Sequence, residues 1–231
     1  MEKSNRRNTY QYKLRESKLD DLKKLGGILI DDHKDSFKKT YGNLLGILLT
    51  KEDTRLILTF AQCFNPTMHC FTFQDFLLAP TLEEFVHMFC ILVKNQVPYM
   101  SINGFPKSKV IAQALHLKRE LVDSNIRAKG NTRGFLSKFF IEKATLFADS
   151  GRWDAFYANY ALLIYGYVLF LNIEGFIDKV AINIFLSRNP APTLITDVYF
   201  SFHWRNKKKS GIINYCVPLL YKWFLTHLPR K

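Results

Sequence analysis

Cys63, His69, Cys70, His87 and Cys90 form the densest set of soft metal ligands in this chain. His87-x-x-Cys90 would set two ligand types on one face of a helix. Zinc sites, however, are built from paired short spacings, and these residues do not match one. The set reads as buried thiols with incidental histidines, and no metal is expected. Asp75, Asp149, Asp178 and Asp197 are the carboxylates that a metal-dependent strand transfer would have to bring together. No strand context orders them, and Asp197, among the apolar neighbours of ITDVYF, suits a cap or a pair better than catalysis. A Cys216 nucleophile would need a base, and spacing does not place His203 beside it. There is no GxxxxGK[ST], no GxGxxG after a strand, no GxSxG and no HExxH. The residues therefore give no positive support to an enzyme, and no cofactor is expected.

Charge is the stronger signal. The 231 residues carry 33 Lys and Arg against 20 Asp and Glu, a net charge of +13. Residues 94–143 hold ten basic side chains against three acidic, and residues 205–231 seven against none. Between them, residues 40–93 and 144–204 are slightly acidic and apolar, and read as core. Lys107, Lys109, Lys118, Arg119, Arg127, Lys129 and Arg133 decorate the first basic block. Trp204, Arg205, Lys207, Lys208 and Lys209 open the second, joining cations to a stacking ring beside His203. Either block fits a solvated surface or one that faces a polyanion or an acidic protein. No helix-turn-helix, zinc-finger or ribonucleoprotein signature narrows the choice.

At 48% hydrophobic and 15% aromatic residues the chain can bury a sizeable core. Four cysteines without a framework spacing suit free thiols in a reducing compartment. The N-terminus lacks an apolar signal-peptide core. The run Tyr160 to Leu171 is too short for a membrane span of about 20 residues and suits a buried helix. Residues 1–15 are expected to be a disordered basic tail, and 16–231 one helical domain. Helices are read from 3–4 spacing over Phe37 to Leu49, Lys107 to Val122, Phe135 to Phe147, Trp153 to Phe170, Val180 to Leu186, Thr193 to Trp204 and Tyr215 to Leu228. Thr50 marks the start of another helix. Thr81 and Glu84 spell a capping box that opens the apolar helix from Leu82 to Val93, the expected centre of the fold. The fold class is all-α, with a very short strand pair near 68–76. The expected core is Leu82, Phe85, Phe89, Phe140, Phe147, Tyr160, Ile164, Leu220 and Phe224.

Cys70 to Pro98, CFTFQDFLLAPTLEEFVHMFCILVKNQVP, places an aromatic extended run before Pro-Thr-Leu-Glu-Glu and an apolar helix. ALLIYGYVLFLNIEGFIDKVAINIF and YCVPLLYKWFLTHL follow in order. This succession resembles the plant mobile domain, most closely its divergent legume form, over about residues 40–228. The resemblance implies a helical interaction module, derived from a transposable element and nuclear, with a protein partner. No catalytic residue is established for that family. Its aminotransferase-like label is not carried over, because no lysine here has a cofactor-binding context. The chain ends at Lys231, where family members often continue, which implies a truncated gene or a transposon remnant. Three functions are thus set out: a non-catalytic protein-binding module, a nucleic-acid-binding module using 94–143 and 205–231, and a residual transposition enzyme.

Overall fold

The computed structural model describes residues 10–14, 18–90, 104–208, 210–213 and 216–228. Expectations that fall on 1–9, 15–17, 91–103, Lys209, 214–215 and 229–231 lie outside them. Twelve α-helices are found among the described residues: α1 Asp20–Gly26, α2 Asp31–Tyr41, α3 Leu44–Leu48, α4 Thr54–Gln62, α5 Leu82–Phe89, α6 Ser108–Ala114, α7 Arg119–Asn125, α8 Ser137–Asp149, α9 Trp153–Ile164, α10 Lys179–Ser187, α11 Ala191–Lys208 and α12 Val217–His227. A π-helical turn, Tyr165–Leu169, prolongs α9. No helix among the described residues is long and apolar enough to cross a membrane.

The fold is mostly helical, but its sheets exceed a very short strand pair. Strands β2 (Phe64–Asn65), β3 (Cys70–Thr72) and β4 (Leu77–Leu78) form one antiparallel sheet. Strands β5 (Arg127–Lys129), β6 (Thr132–Leu136) and β7 (Phe176–Asp178) form a second. The β5–β6 turn is Gly130-Asn131, with Gly130 at φ +59°, a backbone that favours glycine. Strand β1 (Gln11–Leu14) pairs in parallel with β8 (Ser210–Ile213). Residues 11–14 are therefore an ordered strand rather than part of a disordered tail. Tyr12 is buried, which supplies the apolar contact that holds it.

Several helix boundaries move for local reasons. Gly42, at φ +70°, separates α2 from α3 within the stretch 37–49. His116, at φ +56°, splits 107–122 into α6 and α7. Asp53, not Thr50, caps α4: its Oδ1 accepts the N–H groups of Arg55 at 2.8 Å and Leu56 at 3.2 Å. Residues 135 and 136 belong to β6, so α8 begins at Ser137.

The expected capping box is present. The Thr81 hydroxyl accepts the Glu84 N–H at 3.2 Å, and Glu84 Oε2 accepts the Thr81 N–H at 2.9 Å. Eight of the nine expected core residues are buried, whereas Leu82 is 38% exposed. Helix α5 is held at both ends. Its Phe89 carbonyl accepts the Asn43 N–H at 2.7 Å, and Asn43 Nδ2 donates to the Met88 carbonyl. Aromatic contacts tie the surrounding elements together. Phe60 of α4 stacks on Phe224 of α12 at 3.8 Å, and Phe71 of β3 meets Phe224 and Phe202 edge-on. Helix α9 lies at the centre of the second half, with every residue from Ala155 to Ile164 buried. Its Tyr160 hydroxyl donates to the Leu22 carbonyl at 2.9 Å, joining α9 to α1.

Candidate interaction surface

The reactive side chains singled out in the sequence are placed in structural roles or apart from one another. Among the described residues no three His, Cys, Asp or Glu side chains are grouped to hold a metal ion. Cys70 and Cys216 are buried, Cys90 is exposed, and among the described residues none of the four cysteines forms a disulfide. Burial pushes the Cys216 thiol up to about 12, so at neutral pH it is not a thiolate. His203 lies on the exposed side of α11, where it stacks with His69 at 5.7 Å. Asp75 and Asp149 are exposed. Asp178 is buried and caps α10, its Oδ1 accepting from Val180 N and Ala181 N at 3.0 Å each. Its other oxygen accepts from Asn172 Nδ2 at 2.8 Å.

The first basic block rides on α6, α7 and the β5–β6 hairpin. Lys107, Lys109 and Lys118 are exposed. Four others are engaged locally. Arg119 pairs with Asp123 at 3.4 Å, one helical turn away. Arg127 Nη1 donates to the Ser124 and Ile126 carbonyls at 2.8 and 2.9 Å. Lys129 donates to the Glu174 carbonyl at 3.3 Å. The Arg133 guanidinium lies 4.7 Å from the Phe105 ring centre. These contacts hold much of the block's charge against its own surface.

The second block opens inside α11, which runs on past the Trp204 end expected for this helix. Arg205, Lys207 and Lys208 form the last turn of α11, where cations suit the negative end of the helix dipole. Helix α11 starts after Pro190, carries Pro192 in its first turn, and buries Ala191, Leu194, Val198 and Phe202. The same periodicity turns Thr196, Phe200, His203, Trp204 and Lys207 outward. Phe200 is 66% exposed and Trp204 39%. Their rings lie 6.3 Å apart and 6° from parallel. Lys208 Nζ sits 4.9 Å and Lys207 Nζ 6.0 Å from the Trp204 ring centre. The His69–His203 stack brings the β2–β3 turn to this face, and Met68 beside it is also exposed. Arg205 leaves the face: its side chain lies over Gly211 of β8. Asn206 turns inward and donates to the Phe64 carbonyl at 3.2 Å.

The result is an aromatic face edged by two lysines on a helix anchored from behind. Tyr199 contributes to that anchorage by donating to the Pro80 carbonyl at 2.7 Å. Sequence reasoning found Trp204, Lys207 and Lys208 but missed Phe200. Its signal was available, since Phe200 and Trp204 are four residues apart and off the Leu194–Val198–Phe202 stripe.

Over residues 22–231 the chain matches the family model described as Domain of unknown function (DUF7745), and it belongs to that family. No curated protein and no solved structure matches it.

Proposed function

We propose that the protein is a non-catalytic interaction module that binds a partner protein through the exposed face of α11. The observation that carries this reading is the pair of parallel rings, Phe200 and Trp204, left open to solvent beside Lys207 and Lys208. Exposed aromatic residues are characteristic of interface centres, where their large area is buried at little entropic cost, and the two lysines suit the polar rim around them. The partner surface that complements this face is apolar at its centre and acidic at its edge. The resemblance to plant mobile domains supports the further reading of a transposon-derived, nuclear module.

A second reading is single-stranded nucleic acid on the same face, favoured by Lys208 lying over the Trp204 ring. It ranks behind the first because binding a strand needs a track of available cations. Arg119, Arg127, Lys129 and Arg133 are locally engaged, and they ride on elements other than α11.

Photo-cross-linking from position 200 in cells that express the chain separates the readings. A partner adduct removed by protease and kept by nuclease supports the first. An adduct removed by nuclease supports the second. No adduct above that formed from Leu146, an exposed control on α8, overturns both.

A further inference from the structure

A cleft of about 750 Å³ opens on the side of the molecule formed by α1, the α3–α4 connection, the π-helical turn and the first turns of α11 and α12. Its size is that of small-ligand sites, which run from about 300 to 1,000 Å³. Leu49, Val168, Phe170, Val180, Val217 and Pro218 supply apolar wall. The π-helical turn that prolongs α9 brings Val168 and Leu169, with Phe170 just after it, onto the cleft.

Thr193 and Asp197, one turn apart on α11, face the cleft together. Asp197 is half-buried, yet no hydrogen bond or ion pair to it is found among the described residues. A carboxylate withdrawn from water without a partner costs free energy, and a bound cation would offset that cost. The other charged residues of the cleft are Lys18, Asp20, Lys23, Lys51 and Glu52, all exposed. Three cations against two acids leave the rim nearly neutral, and Lys18 is drawn toward Glu174 at 3.7 Å. The rim therefore does not set the sign of the ligand, and the sheltered carboxylate does.

We propose that this cleft binds a small amphipathic amine, its ammonium group paired with Asp197 and its hydrocarbon body against Val168 and Phe170. The site is separate from the α11 face that carries Phe200 and Trp204, so either assignment stands without the other. Burial raises the Asp197 carboxyl to about 6, so the group is charged at pH 7.5 and largely neutral at pH 5.

Calorimetric titration of the full chain with hexylammonium and, separately, hexanoate tests the proposal. At pH 7.5 hexylammonium should bind saturably at one site, at least tenfold more tightly than hexanoate. Asp197→Asn should weaken hexylammonium at least tenfold, and lowering the pH to 5 should weaken binding to the wild type similarly. Leu49→Trp, which keeps the carboxylate but fills the mouth, should also abolish binding. Thermal unfolding of both variants checks that they remain folded. Absence of saturable hexylammonium binding, hexanoate binding as tightly, or affinity unchanged by Asp197→Asn or by Leu49→Trp would each overturn it.

Discussion

Glu84 Oε2 accepts the indole N–H of Trp223 at 2.9 Å, joining residues 139 positions apart in the chain. The same carboxylate closes the capping box at the start of α5, and its Oε1 lies 2.9 Å from His227 Nε2. One side chain thus completes a helix cap and clamps α12 to α5. Glu84→Ala removes the cap and leaves the Trp223 donor unsatisfied. The expected cost is about 2–4 kcal/mol, read as a fall of several degrees in Tm. Glu84→Gln keeps an acceptor oxygen and should cost less.

The Glu84 clamp also has a pH signature. Burial raises the carboxyl, but hydrogen bonds from Trp223 and Thr81 and the charge of His227 outweigh it and hold it below the usual range. A carboxyl depressed in the folded state stabilises above its unfolded pKa of about 4.3. That stabilisation is lost as pH falls through the lower folded value. Urea denaturation at stepped pH from 6 to 3 should show wild type losing more stability than Glu84→Gln. Parallel curves would separate Glu84 from the acid sensitivity of the fold.

Asp197 runs the opposite way. Its carboxyl is raised by burial to about 6, so the unpaired group destabilises the empty fold once ionised. Its contribution falls as pH rises from about 4 to about 6. Asp197→Asn should therefore gain stability over wild type across that window, by roughly 1–3 kcal/mol at pH 7. Equal stability of the two proteins at pH 4 and at pH 7 would count against a desolvated carboxylate.

Ile177 of β7 is wedged between two glycines. A Cβ on Gly166 would collide with Ile177 Cδ1, and one on Gly134 with the Ile177 carbonyl oxygen. Gly166→Ala should cost about 1–3 kcal/mol through overpacking. Adding Ile177→Val removes the clashing methyl, so the double variant should be more stable than the sum of the single losses implies. Gly134→Ala meets backbone instead and should not be rescued by the same change. Strict additivity of Gly166→Ala and Ile177→Val in denaturation curves would rule out this contact.

What the sequence made legible was local or periodic. Thr81 and Glu84 are three residues apart, and their reciprocal bonds follow from that spacing. The stripe through α9 appears in the order of residues 153–170. The β5–β6 hairpin was not legible, because Arg127, Ala128 and Lys129 are all exposed and show no alternation of apolar and polar residues. Gly130-Asn131 is its only mark in the sequence. The partnership of Glu84 with Trp223, and the cleft around Asp197, unite segments far apart in the chain, and no local pattern encodes such meetings. The α11 face was half legible. The helix read from the spacing stops at Trp204, because Lys207-Lys208-Lys209-Ser210-Gly211 carries no apolar periodicity, although α11 continues through Lys208 on the support of β8 and β2.

The central claim is that the Phe200–Trp204 face docks protein rather than nucleic acid. It is tested most directly by the affinity of the full chain for single-stranded DNA and RNA over a salt series, with Trp204→Ala and Lys207→Ala/Lys208→Ala alongside. The expected result is weak binding that vanishes by moderate salt and is insensitive to Trp204→Ala. Measurable affinity at physiological salt, falling steeply with log salt and lost in both variants, would contradict the claim and make this face a strand-binding platform.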